Sequence, residues 1–255
     1  MSTTSDHPLE LTSASLPFAQ QMQIFYRTAG SACPYLQNRI ERHVLTDLYG
    51  PNSGLLYDSL TAAGFRRSHH LIYRPACSGC SACIPVRIVT EKFKPSRTQR
   101  RIMKINRDLH ANVTEASATH EQFDLFMRYQ KQRHSNGDMA RMTFDDFRFM
   151  IEGSPITTYL VEFRTPTGTL VACCLTDRVN TGLSAVYSFF DPDQPHSSLG
   201  TLVILWLINK ARYSNLAYVY LGYWVRNSPK MSYKAHFNAL EYFTQGHWHS
   251  YLPVA

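Results

Sequence analysis

The chain reads as an α+β protein, with an N-terminal cysteine-containing domain followed by a C-terminal α/β/α domain. Three observations predict this. Downstream of Pro155, three strand-like segments precede one long apolar helix and a fourth strand-like segment, an order that packs a sheet against helices. Upstream, four of the six cysteines fall in the first third, in turn-prone sequence beside Pro, Gly and Ser. The 255 residues carry no internal repeat or low-complexity tract and suffice for one large domain or two modest ones. The expected division is a leader over 1–17, a cysteine-cluster domain over 18–110 ending in a basic helix, and a second domain over 111–255.

In chain order, Met1 to Pro17 is polar, and CPYLQNR (Cys33–Arg39) and YGPNSG (Tyr49–Gly54) are loops and turns mixed with short strands. Gly64 to Arg74, GFRRSHHLIYR, is expected as a strand leading into the cysteines. Ser96 then caps a helix over about 97–109. At the helical angle per residue, Ile102, Ile105 and Leu109 fall on one side. Arg97, Arg100, Arg101, Lys104 and Arg107 gather on a separate arc. Thr119, with Gln122 three residues on, opens a helix through about His134. Thr143 opens another, whose buried stripe is Phe144, Phe147, Met150 and Ile151. ITTYLVEF, TPTG and TLVACCLTDRV form a β-hairpin, in which the adjacent Cys173 and Cys174 face opposite sides. LSAVYSFF is a third strand, Leu199 to Tyr213 the long helix, and LAYVYLGYW the fourth strand.

The segment Arg74 to Arg87 reads RPACSGCSACIPVR, so Cys77, Cys80 and Cys83 recur with two residues between each, and Cys33 is a fourth thiol upstream. Metal binding, redox chemistry or a disulfide framework are the usual uses of such spacing. Met1 to Pro17 has no signal-peptide core, and the longest apolar run, around Leu202 to Ile208, is too short to span a bilayer. Disulfide frameworks belong mainly to small exported domains, so reduced thiols in the cytoplasm are expected. Cys33, Cys77, Cys80 and Cys83 then make either a four-thiolate site for zinc or an iron–sulfur cluster, or a knuckle of free thiols that shapes a pocket. The formal net charge is +7, and the stretch from Lys92 to Arg107 is basic without an acid. A solvated helix face is one reading of that arc, and a nucleic-acid contact is the other. Like charges on one arc repel by roughly a few tenths of a kcal/mol per close pair, a penalty that an anionic ligand removes.

The order of elements after Pro155 resembles the acetyltransferase-like (GNAT-like) superfamily, whose sheet splays to admit an acyl donor. Its acetyl-CoA-dependent members carry a turn resembling Gln/Arg-x-x-Gly-x-Gly/Ala at the start of the following helix. Here HSSLGTLV holds only Gly200, so acetyl-CoA is not the expected donor. A more specific resemblance runs from about Tyr26 to Trp248. It is carried in order by CPYLQNR, by Tyr73-Arg74-Pro75 with the cysteines and IPVR, by FKPSRTQRR and GTLVACCLTDRV. GLSAVYSFFDP, SLGTLVIL, YVYLGYWV and KMSYKAHFNALE continue it. By these motifs the chain resembles the arginyl-tRNA–protein transferase family, most closely its bacterial leucyltransferase branch.

The resemblance implies an aminoacyl-tRNA–dependent transferase. It would move leucine from leucyl-tRNA to the N-terminal Asp or Glu of an acceptor protein and so create a degradation signal, with no cofactor required for the chemistry. The arginyl branch has Cys-x-x-Cys near its start and an adjacent Cys pair later, whereas this chain has a lone Cys33 and the spaced triplet, which favours leucine. Arginyl transfer, an acetyltransferase-like enzyme with another acyl donor, and a non-catalytic metal-stabilised nucleic-acid-binding module are the alternatives. Under the resemblance the basic helix contacts tRNA, and Cys77, Cys80 and Cys83 surround the acceptor. Arg74 and Arg87, with Lys234 in reserve, are candidates for the acceptor's carboxylate, which a guanidinium matches bidentately. Asp191 is a candidate to orient the amine or accept a proton, or else forms a turn before Pro192. Tyr187, Tyr223 and Tyr233 are candidate donors to the terminal adenosine or the reacting carbonyl.

Overall fold

A computed structural model describes residues 23–251 except Asn136, Pro195, His196, Asn227 and Lys230; the leader expected over 1–17 lies outside the described residues. The first elements are β1 (Tyr26–Arg27), β2 (Ser31–Ala32), β3 (Ile40–Glu41), β4 (His43–Asp47), α1 (Ser53–Ala62), β5 (Arg66–Ser68) and β6 (Leu71–Pro75). β2 pairs with β3, and β1, β4, β6 and β5 form a four-stranded antiparallel sheet in that order. The single strand expected over 64–74 is instead a hairpin, because His69 adopts φ 54° and folds β5 back on β6.

The chain continues through β7 (Cys83–Val89), α2 (Arg97–Ile105), β8 (His110–Glu115), α3 (His120–Arg133), α4 (Phe144–Glu152), β9 (Thr158–Arg164) and β10 (Leu170–Val179). It ends with β11 (Gly182–Phe190), α5 (Leu199–Tyr213), β12 (Tyr218–Val225), β13 (Leu240–Thr244) and β14 (His247–His249). These strands make one eight-stranded sheet ordered β14-β13-β7-β12-β11-β10-β9-β8. Every pairing in it is antiparallel except β11 with β12. The fold is therefore mixed α/β, as the strand and helix order predicts.

β7 and α2, expected within a first domain, belong to the large sheet and its cover. β7 is an almost unbroken apolar run, IPVRIV, and such a run is stable only where both faces are buried. It lies between β12 and β13, and α2 packs on α5. One face of the sheet carries the core built on α5, including Cys174, Leu205 and Ile208. The other carries α3 and α4, with Cys173, Phe126 and Phe147. The two adjacent cysteines thus point to opposite cores, as strand alternation requires.

Capping boxes form at Ser96 with Gln99, at Thr119 with Gln122 and at Thr143 with Asp146. α2 is shorter than expected and its buried side is different. Gln99, Ile102 and Asn106 face inward, while Ile105 is 49% exposed. The inward polar groups are satisfied: Asn106 donates to Ile102 O and Ser197 O at 2.8 Å each, and Gln99 to His236 O at 3.3 Å.

The small sheet is fastened to the large one by a buried ion pair. Arg67 of β5 donates from Nε and Nη2 to the two oxygens of Asp177 on β10, each at 2.7 Å, with both side chains fully buried. Tyr57 of α1 and Thr158 of β9 donate to the same carboxylate at 2.7 and 2.8 Å. Removing one partner of such a pair strands the other charge. Arg67→Met is expected to lower the unfolding free energy by about 3–5 kcal/mol. Equilibrium urea unfolding beside the wild type measures this, and a loss below about 1 kcal/mol would mean the pair behaves as a solvated one.

Candidate active site

β11 and β12 pair only over Gly182–Ser184 against Tyr218–Tyr220, then part. The divergence follows from backbone irregularity: the β12–β7 register shifts between Tyr220 and Gly222, and Gly222 sits at φ +71°. Arg66 enters the gap from β5, pointing opposite to Arg67. Its Nη2 donates to Ala185 O at 3.2 Å and also to Val186 O on β11. The positive φ at residue 222 favours glycine, and the same guanidinium occupies the space a Cβ would take there. On the β12 side, Lys234 Nζ donates to Leu221 O at 2.7 Å and Tyr223 O at 2.6 Å. The side chains of Arg66 and Lys234 thus meet carbonyls on the two strands where the pairing is interrupted.

Above the gap lies a cavity of about 1350 Å³, reached by α3, the start of α5 and the loop after β12. A second cavity of about 720 Å³ adjoins it beneath the small sheet. Pro34, Tyr35, Ser68, Tyr73 and Tyr223 line both.

Tyr187, Asp191, Tyr223, Tyr233 and Lys234, dispersed in sequence, all line the larger cavity. Their hydroxyls and charges are already partly engaged. Tyr187 OH accepts from Gln130 Nε2 at 2.7 Å, and burial pushes its phenol up to about 12. Tyr223 OH donates to Tyr73 O at 3.0 Å and reaches Gly64 O at 3.3 Å; burial pushes its phenol upward. Asp191 accepts from Asp193 N at 3.2 Å, which makes it the turn residue before Pro192, and pairs with Arg128 at 3.2 Å.

Cys33, Cys77, Cys80 and Cys83 all line the smaller cavity. Burial, and then the other three cysteines, push the Cys83 thiol up to about 12. Cys77 exchanges hydrogen bonds with the Arg42 backbone, accepting at 3.4 Å and donating at 3.7 Å. No group of three or more His, Cys, Asp or Glu among the described residues is arranged to hold a metal ion. The four thiols come together at one cavity, as the spacing suggests.

The structure does not bring Arg74 or Arg87 to either cavity. Arg87 is 8% exposed, pairs with Glu241 at 2.8 Å, and lies 3.5 Å from the Tyr218 ring centroid and 4.2 Å from that of Trp248. Arg74 donates to Ala63 O at 3.4 Å and lies over Phe65. Their roles are packing and pairing. Arg39 and Arg42, missed by the sequence reading, line the smaller cavity instead, with Glu41 between them in sequence. Arg66 was missed too, although the Arg66-Arg67 pair in a short strand must by alternation send one cation to each face. The basic residues of α2 and its end, Arg97, Arg100, Arg101, Lys104 and Arg107, are all exposed. Asn106, bonded to Ser197 O just ahead of α5, sets that surface beside the mouth of the larger cavity.

Comparison with known proteins identifies the family. Residues 31–101 match the description "Arginine-tRNA-protein transferase, N terminus" and residues 121–244 match "Arginine-tRNA-protein transferase, C terminus". The aspartate/glutamate leucyltransferase of Paramagnetospirillum magneticum is 53% identical over 90% of this chain and 94% of its own length. That of Granulibacter bethesdensis is 50% identical over 89% of this chain and 85% of its own. That of Gluconacetobacter diazotrophicus is 51% identical over 89% and 87% respectively. Among solved structures, L-PGS from Bacillus licheniformis aligns with a TM-score of 0.43 at 11% identity, over 66% of this chain and 49% of that one. The chain belongs to the arginine-tRNA-protein transferase family.

Proposed function

We infer that this chain transfers leucine from leucyl-tRNA to the N-terminal amine of proteins that begin with Asp or Glu. The observation that carries the reading beyond the family is the pair of joined cavities at one break in the sheet, since a transferase must seat two substrates with their reacting atoms in contact. Relatives near 50% identity over almost the whole chain bear the leucyltransferase name, which favours leucine over arginine. The scaffold is the acetyltransferase-like sheet that the element order resembles; the parallel β11–β12 pair and its parting support that assignment.

The larger cavity takes the aminoacylated end of the tRNA. Met142, Met150 and Leu175 offer an apolar surface to the leucine side chain, and α2 meets phosphates outside. The smaller cavity takes the acceptor's first residue. Arg39 and Arg42 face its carboxylate, replacing Arg74 and Arg87 in that role, and the thiols of Cys77, Cys80 and Cys83 form the wall. Aminoacyl-tRNA is an activated ester, so the chief demand is orientation of the amine against the carbonyl carbon. An N-terminal amine, with pKa near ~7.7–8.0, is partly neutral at neutral pH.

The direct test is purified protein with labelled leucyl-tRNA and a peptide headed by Asp or Glu; label is expected in the peptide, and label that stays on the tRNA rejects the reading. Replacing Arg97, Arg101 and Lys104 together with Glu is expected to weaken tRNA binding and reduce the salt slope of log K by about 2 to 3, as about three phosphate contacts are lost. Binding isotherms at several salt concentrations measure it. Peptides headed by Asn or Gln should react slower by ~10²-fold, because the neutral isostere leaves the guanidiniums of the acceptor cavity without their carboxylate. Competition between Asp- and Asn-headed peptides in one tube reads that ratio.

A further inference from the structure

Lys234 is 5% exposed, yet it lines the larger cavity. It sits on a 3-10 turn, Ser232–His236, that packs on β12. Its Nζ donates to Leu221 O and Tyr223 O, and no carboxylate pairs with it among the described residues. The groups facing it are Arg66 from β5, Tyr223 on β12, and the Tyr233 ring, 5.9 Å from Nζ. Burial first, then the Arg66 charge, hold its pKa well below the lysine range.

The hydrogen bonds accommodate a neutral amine. An ammonium has three N–H donors and no lone pair; a neutral amine has two donors and one lone pair. Two carbonyls accept from Nζ, which uses both N–H groups of the neutral amine and leaves its lone pair free. The location is equally specific. Lys234 lines the larger cavity, and Tyr223, whose carbonyl is one of those two acceptors, lines both, so the lysine is held by a residue of the wall that the cavities share.

We propose that Lys234 Nζ is the proton acceptor for peptide-bond formation, a role that rests on the two-substrate reading of the cavities. The acceptor's neutral amine attacks the leucyl carbonyl carbon; the N–C bond forms and the carbonyl pair moves onto oxygen. The nitrogen, now positively charged, gives a proton to the Nζ lone pair. As the oxyanion collapses, the ester C–O bond breaks and the departing ribose oxygen takes that proton from Lys234. The amine is neutral again, the tRNA leaves as an alcohol, and one amide has replaced one ester. The carbonyls of Leu221 and Tyr223 hold the nitrogen in place throughout.

The test is single-turnover transfer from leucyl-tRNA to an Asp-headed peptide across pH, for wild type, Lys234→Arg and Lys234→Met, with thermal unfolding and tRNA binding measured on each. Arginine can donate to both carbonyls but stays charged at every working pH. A base role therefore predicts a folded, tRNA-binding Lys234→Arg whose transfer is 10²- to 10⁴-fold slower, about the range for losing a general base. In the wild type the rate should fall as pH drops and Lys234 gains a proton. That limb should stay in place when the acceptor's amine pKa is altered by about one unit, and should vanish in Lys234→Met. A Lys234→Arg enzyme within about tenfold of wild type would reduce Lys234 to a structural prop and overturn the proposal. So would a wild-type limb that moves with the acceptor's amine, an outcome readable even if neither variant folds. Loss of transfer by the wild type itself would overturn the leucyltransferase reading beneath it.

Discussion

Two neighbouring strands that stop pairing leave backbone carbonyls facing each other across a gap, and each buried acceptor left unmet costs about 1–3 kcal/mol. That is the constraint on which this structure turns. Past Ser184 and Tyr220 the parallel ladder between β11 and β12 ends in the middle of an eight-stranded sheet. Arg66 takes the carbonyls of Ala185 and Val186, and Lys234 takes those of Leu221 and Tyr223. A neutral donor would satisfy the same oxygens. Arg66 adds a fixed positive charge where an electron-rich ester and a phosphodiester chain would arrive, while Lys234 meets its two oxygens as an amine.

The surrounding titratable groups reinforce that polarity. Burial pushes the phenols of Tyr35 and Tyr187 up to about 12, with Arg66 opposing it only partly. These rings stay protonated and act as donors or acceptors of neutral hydrogen bonds rather than as bases. In the lining of the larger cavity Asp191 is the acidic residue, and Arg128 pairs with it. Lys234, His69 and His134 are the nitrogen groups of that lining that can accept a proton, and Lys234 is the one bonded to the carbonyls of the gap.

Much of the scaffold was legible because its signals are local. Caps at Ser96, Thr119 and Thr143 and the apolar run from Leu199 to Tyr213 mark helices whatever surrounds them, and α5 begins and ends where the run does. Strand alternation likewise assigned Cys173 and Cys174 to opposite cores. α1 was not legible: Pro51, Asn52 and Gly54 read as a turn, and only Tyr57 and Thr61 of the helix are buried. The site divides in the same way. The tyrosines, Asp191 and Lys234 flank strand ends that periodicity can locate. Arg66, Arg39 and Arg42 gain their meaning from a sheet that folds over the gap, and nothing in their own neighbourhood announces it. Arg74 and Arg87 were misleading for the converse reason. They flank the cysteines in sequence, but β-pairing sends Arg87 to Glu241 and Trp248, away from the thiols.

The insertion of β7 explains how two cavities drawn from distant parts of the chain stay in register. Cys83 is the first residue of β7 and lies opposite Val225, while Pro85 lies opposite Tyr223. The thiol-lined wall is thus two residues along a hydrogen-bonded ladder from the tyrosine whose carbonyl holds Lys234. The buried Arg67–Asp177 pair pins the other side of the same assembly to β10. Were the two cavities carried by separate domains, hinge motion would set the distance between amine and ester, and displacements of about 1 Å can cost ~10²-fold in rate. A shared ladder converts that distance into strand geometry. Orientation is then fixed before either substrate binds, which suits a reaction whose ester is already activated and whose main barrier is bringing the amine to it.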